Sequence, residues 1–207
     1  MKATRKGGKG PAPVRWFASR DAWAAWLEKN HRAHEGLWLR LAKKGSGLRS
    51  VSYGEALEVA LAYGWIDGQK RPENEEAWLQ RFVPRSARSI WSKINREKAL
   101  ALIACGQMQA AGLEAVERAK ECGRWESAYD SPKGAAVPED FQAALDENPR
   151  ANDFFRTLDS ANRYAVLFRI QTVKKAETRA RKIREFVEML ERGDTIRAPR
   201  KGRRPSK

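Results

Sequence analysis

SYGEALEVALAYGWIDG, residues 52–68, changes secondary-structure period within seventeen residues, and that change sets the fold class. Ser52 is followed three positions later by Glu55, the spacing of a capping box at a helix N-terminus. Ala56, Val59, Ala60 and Tyr63 then recur at helical spacing. Gly64 supplies the residue that a helix needs to turn out of its last turn. After it, WIDGQKR (65–71) and AWLQRFV (77–83) read as two short strands joined by the polar turn PENEE (72–76).

Working outward, Leu37, Leu39 and Leu41 alternate with Trp38, Arg40 and Ala42, which predicts a third strand over 37–43. Ahead of it, Ser19 can cap a helix in which Asp21 faces the helix dipole and Trp23, Trp26 and Leu27 form an apolar stripe. Together these segments predict a small antiparallel three-stranded sheet with helices on one face, an α+β layer. From Ser89 onward the pattern is helical, with one helix to about Cys105 and another from about Gln109 to Cys122. ESAYDSPKGAAVP (126–138) breaks the pattern. Beyond it helices are predicted near 138–147, 150–158 and 160–192, the last bent around 172–177. The chain thus reads as an α+β domain over 15–130 and a helical subdomain over 131–195, predominantly helical overall. Basic tails over 1–14 and 196–207 flank them.

Eight Trp in 207 residues argue for a real core. The net charge is +15, and the two Gly- and Pro-containing tails carry +4 and +6 of it. Such tails cannot bury enough apolar surface to order themselves, and are expected to be disordered. Their first role is solubility, with weak, salt-dependent contact to nucleic acid or an anionic membrane as a second. Two cysteines, no apolar leader and no long apolar run place the expected location in the cytoplasm. The oligomeric state is not legible.

Six motifs occur in order: AWLEKNH, GLWLRLAKK, SYGEALEVALAYGWIDG, RFVPRSARSIWSKIN, GQMQAAGLEAVERAKECGRW and VKKAETRARKI. In this set the chain resembles the bacterial YdeI/OmpD-associated family, the bacteriocin-protection proteins, over roughly residues 15–195. The resemblance implies a stress-protection or accessory role, with links to an outer-membrane porin and to antimicrobial-peptide tolerance. It brings no catalytic residues. Direct porin contact is not expected from a chain without an export signal.

Site candidates therefore come from residue chemistry. Asp67 sits among apolar neighbours and needs a cation or several N–H donors if buried. A structural ion pair with Arg81 or Arg85 is the plain reading. The functional reading is an anion pocket. In it Ser89 caps a helix starting at Ile90, Arg85 donates bidentately, and Trp91, Lys93 and Asn95 share the wall with Arg81. Its ligand would be an anionic small molecule, and Arg85→Ala is expected to abolish binding with little loss of stability. Whether the protein is an enzyme stays open: Asp67 as acid/base with Arg85 as oxyanion partner is the catalytic alternative, and nucleic-acid association through the tails and last helix is another. His31 and His34 have too few companion ligands for a metal site. No Gly-rich phosphate loop is present. Neither metal nor cofactor is expected.

Overall fold

The computed structural model describes residues 12–198. These form two compact units, residues 12–91 with 95–126, and residues 92–94 with 127–198. The tails expected at 1–14 and 196–207 lie, for residues 1–11 and 199–207, outside the described residues.

The first unit runs β1 (Val14–Trp16), α1 (Arg20–Asn30), β2 (Leu37–Ala42), α2 (Tyr53–Ala62), β3 (Trp65–Pro72) and β4 (Ala77–Pro84). It continues with α3 (Lys93–Ala104), whose first two residues group with the second unit, and α4 (Ala110–Glu121). The local signals behave as their chemistry requires. Ser19 Oγ accepts the Ala22 N–H, and Ser52 and Glu55 complete a reciprocal capping box. Gly64 leaves α2 at φ +72°, a conformation that favours glycine.

The sheet corrects the three-stranded antiparallel expectation. It has four strands in the order β1-β2-β4-β3, with β1 parallel to β2 and the other pairs antiparallel. β1 has three residues, all exposed, so it carries no alternation from which to read a strand. Tertiary contacts recruit it: Trp38 N–H donates to Pro13 C=O, and Val51 N–H to Phe17 C=O.

Leu37, Leu39 and Leu41 share one face of the sheet with Phe82, and all four are buried. Trp23 of α1 packs on Phe82 at 5.8 Å and donates its indole N–H to Ala56 C=O of α2. Each fully buried indole of this kind is worth several kcal/mol on truncation, about 3–5. On the sheet's other face Val14 and Trp16 are exposed, Trp38, Arg40 and Arg81 are half-buried, and Ala77 and Leu79 are buried.

α3 begins later than the sequence suggests. Ser86–Ser89 closes a turn of its own, with Ser89 N–H donating to Ser86 C=O and Ser86 N–H to Ser89 Oγ, both at 3.0 Å. Ser89 therefore caps a turn, not a helix, and Trp91 precedes α3.

The second unit holds α5 (Glu139–Asp146), α6 (Pro149–Thr157), α7 (Ser160–Gln171) and α8 (Ala176–Glu191). The single bent helix expected over 160–192 is two helices, capped at Thr172 and Lys175. Phe141, Leu145, Phe155, Ile170, Phe186 and Leu190 form its core. Arg179 fastens the layer: Nε and Nη2 donate to the Asp140 carboxylate at 2.6 and 2.8 Å, and Nη1 to Ile170 C=O at 2.7 Å.

Candidate anion-binding cleft

Two glycines let α4 press on the corner between α2 and β3. A Cβ on Gly64 would lie 2.5 Å from Ala111 C=O, and one on Gly112 would lie 2.3 Å from Ala62 C=O. Gln109 N–H donates to that same Ala62 oxygen, which fixes the approach. Glu114 and Arg118, one turn apart on α4, are thereby carried to Tyr63 and to the end of β4, where Arg85 leaves the sheet. His31 and Arg32 arrive from the end of α1.

The result is a cleft of about 270 Å³, bordered by Arg32, Arg85, Arg118, Glu114, His31 and Tyr63. Three arginines and one carboxylate thus share its border. Arg32 Nη2 donates to Glu114 at 2.8 Å, while Arg118 Nη1 stands at 3.9 Å from the other carboxylate oxygen. The Arg32 hydrogen bond, then its charge, hold the Glu114 carboxyl below its ordinary range. Burial, followed by the charge of Glu28, pushes the Tyr63 phenol up. His31 Nδ1 lies 2.9 Å from Leu27 C=O. A carbonyl only accepts, so Nδ1 carries the proton in that bond.

Arg85 is the cleft's inner wall, 7 % exposed. Its Cζ sits 3.6 Å from the centre of the Trp91 ring, and Nη1 donates to Ile90 C=O at 3.2 Å. Trp91 in turn packs edge-on against Trp125 at 4.8 Å. On the far side of Arg85 a second cavity of about 10 Å³, room for one water, is bordered by Arg85, Ser89, Trp91, Arg118 and Arg124.

The structure thus brings Arg85, Ser89 and Trp91 around one small cavity. It places the other sequence candidates elsewhere. Arg81 pairs with Trp38 and Asp67 with Phe82, so neighbouring positions of β4 send the two to opposite faces of the sheet. Asp67 accepts the Tyr53 hydroxyl at 2.8 Å and borders neither cavity beside Arg85. Lys93 is paired with Asp130 at 2.5 Å, and Asn95 is buried on α3. Sequence reasoning passed over Arg32, Tyr63, Glu114 and Arg118. The one local signal was the i, i+4 spacing of Glu114 and Arg118, which by itself reads as an ordinary helix pair.

Among the described residues no group of three or more His, Cys, Asp or Glu could hold a metal ion, and no helix is long and apolar enough to cross a membrane. The two histidines do not converge: His34 Nδ1 accepts the Gly36 N–H, while its ring packs on Trp26 at 5.0 Å.

By fold, then, this is an α+β unit with a basic cleft, accompanied by a helical unit. Residues 135–193 match the family described as Bacteriocin-protection, YdeI or OmpD-Associated. Residues 15–115 match a different family, Domain of unknown function (DUF8412). The family resemblance read over 15–195 is thus found in its C-terminal part, where VKKAETRARKI lies. No curated protein and no solved structure matches the chain.

Proposed function

We propose that the protein is a non-enzymatic accessory protein of the bacteriocin-protection, YdeI or OmpD-associated type that holds an anionic small molecule in the cleft between α1, β4 and α4. The carrying observation is that Arg32, Arg85 and Arg118 border one open space, with Glu114 as the carboxylate on its lining. Guanidinium groups recognise carboxylate and phosphate through paired N–H donors, and Arg118 is the least committed of the three. The separation of Asp67 from Arg85 favours binding over the catalytic alternative built on that pair. Protection of the cell would then follow from what is bound, in the sense of the family's description.

Calorimetric titration with inorganic pyrophosphate tests this. Glu114→Gln releases Arg32 and should tighten binding, whereas Arg118→Gln should weaken it about tenfold, as expected for one charge-assisted contact. Equal affinities for wild type and both variants, or no binding at roughly millimolar ligand, would refute the reading.

A further inference from the structure

The sheet of the first unit has a second face that the cleft does not use. Strand register puts Trp38 beside Val14 and Arg81, and Arg40 beside Trp16 and Leu79, all on the side away from Leu37, Leu39 and Phe82. Within this unit α1 packs on the leucine side, through Trp23. On the tryptophan side Val14 is 46 % and Trp16 38 % exposed, Arg71 is exposed, and Trp38 and Arg40 are half-buried. Each indole has a guanidinium beside it. Arg71 Cζ lies 4.2 Å from the centre of the Trp38 ring, and Arg40 Cζ lies 5.8 Å from that of Trp16. Half-buried Arg81 adds its positive charge to the same face. Against these cations stands Glu73, whose carboxylate binds Arg40 through both oxygens.

We propose that this face binds single-stranded nucleic acid. Flat indoles alternating with guanidinium groups on a rigid sheet offer bases a stacking surface and phosphates a cation at the same time. The strand must be unpaired, because a duplex keeps its base faces inside the stack. Charge complementarity points the same way, since Arg40, Arg71 and Arg81 outnumber Glu73 on this face. An acidic peptide would satisfy the arginines and leave the indoles without a planar partner. Arg71, with its exposed flexible stem, swings from Trp38 to a phosphate as a base takes its place. This contact differs from loose attraction to the basic termini, which has no use for aromatic rings.

Fluorescence anisotropy of the full-length chain with a labelled oligothymidylate of about twenty nucleotides tests the proposal. A duplex of equal length and a polyglutamate peptide serve as competitors, and thermal melting confirms that each variant folds. Trp16→Ala should weaken binding about fivefold or more while leaving the salt dependence nearly unchanged. Arg71→Ala should also weaken it, lowering the slope of log affinity against log salt by about one. Glu73→Gln should tighten it. Wild-type affinity in both Trp16→Ala and Arg71→Ala would assign all binding to the termini and overturn the proposal. So would equal affinity for the duplex, or equally effective displacement by polyglutamate.

Discussion

Replacing Gly112 by alanine sets two effects of opposite sign against each other. In an isolated helix the change stabilises by about 1 kcal/mol, because glycine is a poor helix former. In α4 the new Cβ would lie 2.3 Å from Ala62 C=O and equally close to Met108 Sδ. The sulfur is the far end of a flexible side chain and can move. The carbonyl cannot, since it is backbone at the end of α2 and already accepts the Gln109 N–H. Overpacking against a fixed neighbour costs about 1–3 kcal/mol, and displacing the Gln109 bond adds about 1 kcal/mol. The clash therefore wins, for a net loss of about 1–3 kcal/mol. Gly54 is the matched control: it too is helical, yet nothing lies within 4 Å of its added Cβ. Gly54→Ala should leave stability unchanged or raise it by up to about 1 kcal/mol. Thermal and urea denaturation of both variants reads the difference, at about 2–4 °C for each kcal/mol in a chain of this size. Gly112→Ala should also weaken anion binding, because it pushes Glu114 and Arg118 away from Arg85. If Gly112→Ala melts at or above the wild-type temperature, the close approach of α4 to the α2–β3 corner is not what builds the cleft.

Other outcomes follow from single side chains. Burial first, then the charges of Arg15 and Arg81, hold the His34 imidazole below its ordinary value of 6.5. The unfolded chain thus binds this proton more readily, so His34's contribution to stability is complete above that value and declines as pH falls through it. Protonation also removes the Nδ1 acceptor of the Gly36 N–H, a loss of roughly 1 kcal/mol that urea midpoints at about pH 7.5 and 5.5 should detect. A flat profile, or one unchanged in His34→Asn, would contradict this. Arg179→Ala should destabilise the helical unit by about 1–2 kcal/mol, a figure held down by the half-exposed Asp140 carboxylate. Arg179's hydrogen bonds, then its charge, hold Asp140 below the usual carboxylate range. Their stabilisation is present above the ordinary aspartate value and lost as pH falls through the lower folded one, so Arg179→Ala should flatten the acid limb of denaturation. Arg85→Ala should cost about 2 kcal/mol, since it removes the guanidinium stacked on Trp91 and bonded to Ile90. Arg118→Gln should change stability by no more than about 0.5 kcal/mol, which makes it the cleaner probe of the cleft in denaturation and binding assays alike.

Local chemistry was legible wherever a few adjacent residues decide the outcome. The capping box of Ser52 and Glu55, the Gly64 exit, the alternation of Leu37, Leu39 and Leu41, and the hairpin around PENEE each depend on neighbours in the chain, and the α+β class follows from them. What lay beyond the sequence was everything that needs partners distant along it. β1 is a strand only because β2 accepts it. Ser89 forms a turn with Ser86 instead of starting a helix. Asp67 and Arg81, both polar and fourteen residues apart, are sent to opposite faces by a register that no local pattern records. Arg32, Arg85 and Arg118 meet because Gly64 and Gly112 permit a close helix approach, and the cost of a Cβ there depends on a carbonyl some fifty residues away along the chain. Periodicity and capping are short-range properties of the chain. The convergence of like charges on one open space is long-range, and packing alone decides it.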